Sequence, residues 1–196
     1  MKIKRLIGGN LESNGFVIYD KEGGECYIID PGYLPERFVK LIREWNLTPK
    51  GILLTHHHYD HTGGVEKLSQ LLDIPVYLHR GDLDQYKKSV DHVLEGEESL
   101  LLGEEVIQVI HTPGHTRGGV CFYSEKSKLA FTGDTIFNVD LGRTDLVDGS
   151  PVVMADTIRN IISLWSNEIT IYPGHGDQAT MRWVRKNNQE FLDLLV

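Results

Sequence analysis

Four apolar runs in this chain each end in a turn that contains glycine and carries histidine or aspartate. GILL (51–54) leads into THHHYDHTGG, VIQVI (106–110) into HTPGH, KLAF (128–131) into TGD, and ITIY (169–172) into PGHG. A buried strand fixes the position of its end. A fold that gathers these four ends therefore places several metal-ligating side chains together on rigid supports. That demand narrows the architecture more than any other feature of the sequence.

The links between the runs narrow it further. GFVIY (15–19) and CYII (26–29) are separated by DKEGGE, a hairpin-length turn in which Gly23 and Gly24 supply torsional freedom. A doubly wound parallel sheet needs a helical crossover at every step, and several links here are too short. The pattern predicts an α/β fold, a four-layer αββα sandwich with two mixed β-sheets. Helices are expected over 35–46, 65–72, 81–90, 151–165 and 180–195. Phe38, Leu41, Ile42 and Trp45 share one helical face, with Trp45 as a core anchor. Trp183, Phe191 and Leu195 would pack the last helix onto the core, leaving Arg182, Arg185 and Lys186 on a solvated face. No repeat, low-complexity segment or linker interrupts the 196 residues, so a single domain over 1–196 is expected.

Composition bounds the partners. The formal charge of -8 argues against a basic surface for nucleic acid or membrane. The two cysteines, Cys26 and Cys121, sit in apolar segments and read as buried small hydrophobes rather than a disulfide framework. No stretch reads as a bilayer span or a signal peptide, and the cytoplasm is the expected location. Nothing in the sequence speaks to oligomeric state.

The chemistry concentrates in HHHYDH. On an extended segment His56 and His58 point to one face, and His57 points to the other. His57 is therefore expected to pack or to form supporting hydrogen bonds. Asp60 and His61 follow as the chain turns, with Gly63 and Gly64 letting it pass close to the site. His115, Asp134 and His175 end the later strands. The candidate set is five histidines and two aspartates.

HHHYDH, read as H-x-H-x-D-H, resembles the signature of the metallo-β-lactamase superfamily. The IDPG and TPGHT phrases strengthen the likeness, and the later His115, Asp134 and His175 follow in the order of that superfamily's metal-binding positions. The resemblance implies that His56, His58 and His115 hold one ion and that Asp60, His61 and His175 hold another. Asp134 would bridge them. Two divalent ions are then the cofactor, zinc first, with iron or manganese as alternatives. Asp60 and Asp134 become the catalytic carboxylates, through a metal-activated hydroxide that attacks an ester-type carbonyl.

DLGRTD (140–145) resembles the glyoxalase II-like branch, whose hydrolases cleave S-D-lactoylglutathione. The implied reaction is hydrolysis of a small thioester or ester, with hydroxyacylglutathione first. The same segment is similar to the sulfur dioxygenases that oxidise glutathione persulfide, for which His56, His115 and Asp134 would hold one iron. The glyoxalase II pattern adds a C-terminal helical domain with basic residues for glutathione, and little of this chain follows His175. That keeps a lactonase or other small-ester hydrolase in view. A β-lactamase ranks lower, as does a non-enzymatic interaction module, since structural zinc sites are closed and four-coordinate. Arg143 reads as a structural ion pair or a contact to substrate carboxylate, Arg117 as a looser candidate for an anionic substrate, and Tyr59 as a pocket wall.

Overall fold

The computed structural model describes residues 1–196. Two six-stranded sheets face each other. The first runs β1 (Lys2–Gly8), β2 (Ser13–Tyr19), β3 (Glu25–Ile29), β4 (Thr48–Leu53), β5 (Val76–His79) and β6 (His92–Leu94), in that spatial order. The second is built from β7 (Ser99–Leu102), β8 (Glu105–His111), β9 (Val120–Ser124), β10 (Leu129–Gly133), β11 (Thr170–Pro173) and β12 (Ala179–Thr180), laid side by side from β12 to β7. Both sheets are mixed. Hairpins join β1 to β2 and β2 to β3 antiparallel, whereas β3, β4, β5 and β6 pair in parallel. In the second sheet only β10 and β11 are parallel.

Alternation along the strands builds three cores from two sheets. Phe16 and Ile18 of β2 face inward and meet Val109, Phe122 and Phe131 of the other sheet. Val17 and Tyr19 of the same strand face outward and pack under the helices α1 (Pro35–Glu44) and α3 (Val65–Leu72). Cys121, Tyr123 and Ala130 of the second sheet face its outer layer. There they meet Met154 and Ile158 of α5 (Pro151–Asn160), Met181 and Val184 of α6 (Met181–Asn187), and Phe191 of α7 (Gln189–Asp193). Strand segments covered on both faces are apolar, which is why Phe16–Tyr19 of β2 and Val120–Tyr123 of β9 read as continuous hydrophobic runs. The αββα sandwich is the observed architecture. No helix is long and apolar enough to cross a membrane.

Several local expectations change. The first strand, β1, lies at a sheet edge and carries Lys2, Lys4 and Arg5, so it lacks the apolar run that marks its neighbours. The short strands β6 and β7 were not foreseen either. The helix expected over 81–90 shrinks to α4 (Leu83–Tyr86) after a 3-10 turn, because Lys87 adopts a left-handed conformation (φ 55°) and ends it. The 151–165 helix stops at Asn160 and continues only as a 3-10 turn.

The terminal helix breaks at Asn188. Its Oδ1 accepts from Phe191 N (2.9 Å), capping α7, while its Nδ2 donates to the carbonyls of Phe137 (3.2 Å) and Asp140 (2.8 Å). Phe191 is buried, but Trp183 and Leu195 are exposed, so only one of the three expected anchors packs. Arg185 is not free on a solvated face: it donates to Asn167 Oδ1 and to the carbonyls of Ser163 and Trp165. Trp45 packs at the margin of the outer core, edge-on to Tyr19 at 5.7 Å and under the Lys4 ammonium at 4.3 Å.

Candidate metal centre

The site is assembled at one end of the paired sheets, from strand ends inward. At the end of β3, Asp30 takes a left-handed turn (φ 47°) and clamps the end of β4. Its Oδ1 accepts from Thr55 N (2.8 Å) and its Oδ2 from Thr55 Oγ1 (2.6 Å). With that hydroxyl hydrogen committed, Thr55 Oγ1 accepts from His56 Nδ1 at 3.0 Å. The His56 proton then sits on Nδ1, and Nε2 faces the site with its lone pair free. His56 Nε2 is buried and has no hydrogen-bond partner.

His58 ends the extended segment, and α2 (Tyr59–Thr62) follows as a single helical turn. That turn carries Asp60 and His61 toward the interior. His115 stands in the loop after β8, with its Nδ1 2.7 Å from the Arg143 carbonyl. His175 stands after β11, with its Nδ1 2.9 Å from the Leu11 carbonyl. In both rings a backbone acceptor holds the Nδ1 hydrogen and leaves Nε2 as the free donor atom. Asp134 follows β10.

The seven residues converge. His56, His58 and His115 offer ligand atoms that all lie within 4.8 Å of one another, with His58 Nδ1 and His115 Nε2 only 2.9 Å apart. Asp60, His61 and His175 form a second such group: Asp60 Oδ2 is 3.2 Å from both imidazoles, which are 3.3 Å apart. Asp134 lies between the groups. Its Oδ2 is 3.5 Å from His115 Nε2 and from His175 Nε2, and its Oδ1 is 3.4 Å from His61 Nε2.

The matching family model, the metallo-beta-lactamase superfamily, covers residues 8–176. The chain belongs to this superfamily. Among solved structures, the BLEG-1 B3 metallo-beta-lactamase superimposes with a TM-score of 0.89 at 32% identity, over 95% of this chain and 98% of that one. TTHA1623 in a di-iron-bound form gives 0.84 at 34% identity, over 94% and 98%. A Schizosaccharomyces pombe protein named as a probable hydroxyacylglutathione hydrolase is 33% identical over 172 residues, 85% of this chain and 65% of that longer protein.

The residues present fit the binuclear metal centre of a metallo-β-lactamase superfamily enzyme. Besides His56 Nε2, the buried Asp134 Oδ1 lacks a hydrogen-bond partner. Buried polar atoms are rarely left so, unless a ligand satisfies them. Gly174 keeps the space beside them open: a Cβ there would lie 2.1 Å from Asp134 Oδ1 and 2.7 Å from His61 Cε1.

Electrostatics separates the two groups. Burial, together with the charges of His61, His115 and His58, holds His56 well below the usual imidazole range. Burial, then the charges of His115 and His57, pushes His58 down to about 4. Both stay neutral and ready to ligate. In the second group burial also disfavours charge on the imidazoles, but carboxylates outweigh it. Asp134, Asp30 and Asp60 raise His61, and Asp134 and Asp60 raise His175 to about 10. Burial opposes ionisation of Asp60 and Asp134 too, yet the facing imidazoles hold both carboxyls below their usual range.

Two supporting carboxylates escaped the sequence reading. Asp30 carried a signal in the strand-ending IDPG phrase. Asp82 carried none. It is fully buried, and its Oδ2 accepts from His57 N (2.9 Å) and Thr116 Oγ1 (3.0 Å) and lies 3.1 Å from His57 Nδ1. Its Oδ1 accepts from Gly118 N at 2.6 Å. Asp82 thus ties the loop of His56 and His58 to the loop of His115, and His57 has the supporting place that alternation predicts. Ser13 does a similar service for the second group, donating to Asp60 Oδ2 at 2.9 Å.

The site opens into a cleft of about 730 Å³. Tyr59 and Arg143 line it. Arg143 is forked onto Asp145, with Nε–Oδ1 at 2.7 Å and NH2–Oδ2 at 2.8 Å. Arg117 does not line it and instead pairs with Asp148 at 3.0 Å.

Proposed function

We propose that the protein hydrolyses a small thioester or ester, in the manner of the glyoxalase II-like branch. The observation that carries this reading is the position of Asp134, within 3.5 Å of imidazoles from both ligand groups at the base of an open cleft. His56, His58 and His115 would hold one ion, Asp60, His61 and His175 the other, and Asp134 both. Zinc is the first choice, and the di-iron form of TTHA1623 makes iron the strongest alternative. Such ions make hydroxide available near neutral pH and polarise a carbonyl.

The chain's own groups set the geometry. The carboxylate of Asp134 offsets the positive charge gathered at both groups. Leu11 and Arg143 fix the tautomers of His175 and His115 through their carbonyls, so each ring presents Nε2. Tyr59 and Phe137 line the cleft that leads to the ligand groups. In the reaction, an oxygen from water adds to the carbonyl carbon and the C–S bond breaks. The thiolate leaves with the electron pair and is protonated by solvent.

The alternative reading, oxidation of a glutathione persulfide at one iron, draws on the same seven residues, with His56, His115 and Asp134 as the ligands. One experiment separates them. The purified protein is analysed for metal and then assayed with S-D-lactoylglutathione, a simple acyl thioester and glutathione persulfide. Release of thiol from a thioester without oxygen uptake is expected. Oxygen uptake with the persulfide and no thioester cleavage would overturn the reading. A chromogenic cephalosporin in the same series tests the β-lactamase likeness, with no turnover expected.

A further inference from the structure

The hydrolase reading leaves the substrate's recognised part open, and the cleft wall speaks to it. A thioester carbonyl must sit at the metal groups, so the rest of the substrate has to run along the cleft. Beyond the metal ligands the lining carries few charges: one carboxylate, Asp140, and one cation, Arg143, which is paired with both oxygens of Asp145. Arg5, at the margin beside Gly176, is likewise taken by Asp177 (3.1 Å) and by the Gly176 carbonyl (3.0 Å). Away from the metal groups, a substrate that brings carboxylates of its own finds no unpaired lysine or arginine along this wall.

The rest of the wall is apolar and exposed. Leu11 is 64% exposed, Val139 48% and Leu146 40%, and Phe137 and Leu141 continue the surface inward. Single exposed apolar residues are ordinary, but several lining one cleft mark a binding surface. These residues are also held in register with the ligands. The Leu11 carbonyl accepts from His175, and the Arg143 carbonyl, three residues before Leu146, accepts from His115. The apolar wall and the imidazoles therefore keep a fixed spacing, as substrate positioning requires.

We infer that the cleft selects an uncharged thioester or ester with an apolar acyl group, seated on Leu11, Val139 and Leu146, over a glutathione conjugate. This rests on the hydrolase reading above and specifies its substrate class. The test uses the metal-loaded protein and N-acetylcysteamine thioesters with acetyl, butyryl and hexanoyl groups, alongside S-D-lactoylglutathione. kcat/KM should rise about two- to fourfold per added methylene, the gain expected for burying a CH2 group. The hexanoyl thioester should exceed S-D-lactoylglutathione by at least about tenfold. Val139→Ser with Leu146→Ser should flatten the chain-length dependence. Asp145→Asn, which frees Arg143, should raise kcat/KM for S-D-lactoylglutathione. In calorimetry on the metal-free protein, S-hexyl-N-acetylcysteamine should bind more tightly than S-methylglutathione. Thioester cleavage with no chain-length dependence, or with S-D-lactoylglutathione preferred, would overturn the inference and leave the hydrolase standing. Failure to cleave any thioester would overturn the hydrolase reading and this inference with it.

Discussion

The two ligand groups share Asp134 but are supported differently. His56 and His115 are buried, and the loops that carry them are tied together by a buried carboxylate, Asp82, through backbone and side-chain donors. The second group has His61 fully buried, but His175 keeps 27% of its side chain exposed and leans on one backbone carbonyl. Its Asp60 is steadied by a single hydroxyl, Ser13. In the first half His56 and His58 are held neutral, whereas the second is looser and its His61 and His175 are raised. Preorganisation lowers the cost of binding, so the first group should hold its ion more tightly.

The most damaging way to probe this contrast is to remove what the halves share. Asp134→Ala should strip both ions, measured by elemental analysis, and lower kcat/KM by about 10³-fold. The next test sets the two supports against each other. Asp82→Ala leaves the His57 and Gly118 amides and the Thr116 hydroxyl without their acceptor, and should cost about 3 kcal/mol in urea unfolding. It should also weaken metal at the first group by about 10- to 100-fold. Ser13→Ala should cost about 1 kcal/mol and weaken only the second ion. Equal losses at both positions in either variant would break the comparison.

A subtler consequence concerns protons. His58, pushed down to about 4 by burial and its imidazole neighbours, carries no proton to lose at pH 7. His175, raised to about 10 because Asp134 and Asp60 outweigh burial, holds one at pH 7 in the metal-free protein and must give it up to ligate. The second equivalent of metal should therefore release more acid than the first, because His61 and His175 must each give up a proton to ligate. Affinity for the second ion should fall as pH is lowered, because protons compete for His175. Titration of metal into weakly buffered protein reads both effects. The smallest change is expected from Arg117→Ala. Its exposed pair with Asp148 lies off the cleft, so stability should shift by less than about 0.5 kcal/mol and metal content should not change.

Much of the centre was legible because its residues lie where local geometry speaks. Alternation separated His57 from His56 and His58, and the structure aims His57 at Asp82 and the other two at the site. Strand ends marked His115, Asp134 and His175. Asp30 and Asp82 were not read as site residues, because their partners stand 25 to 36 positions away in the chain. No spacing rule reaches that far. The edge strands β1 and β6 are hard to read for a related reason: half-covered or short, they lack the apolar run by which buried strands are recognised, and the run in β7 is only three leucines long.

The sequence by itself determined the layered α/β architecture, through periodicity and link length, and the ligand types that the strand ends would carry. Tertiary structure decided the rest. It put α2 in one turn so that Asp60 and His61 face inward, broke the last helix at Asn188 to hold the cleft loop, and paired Arg143 with Asp145 beside the site. Each of these depends on which distant group stands opposite. A hydrogen bond or ion pair is fixed by distances in space, and residue order sets those only once the two sheets have closed on each other.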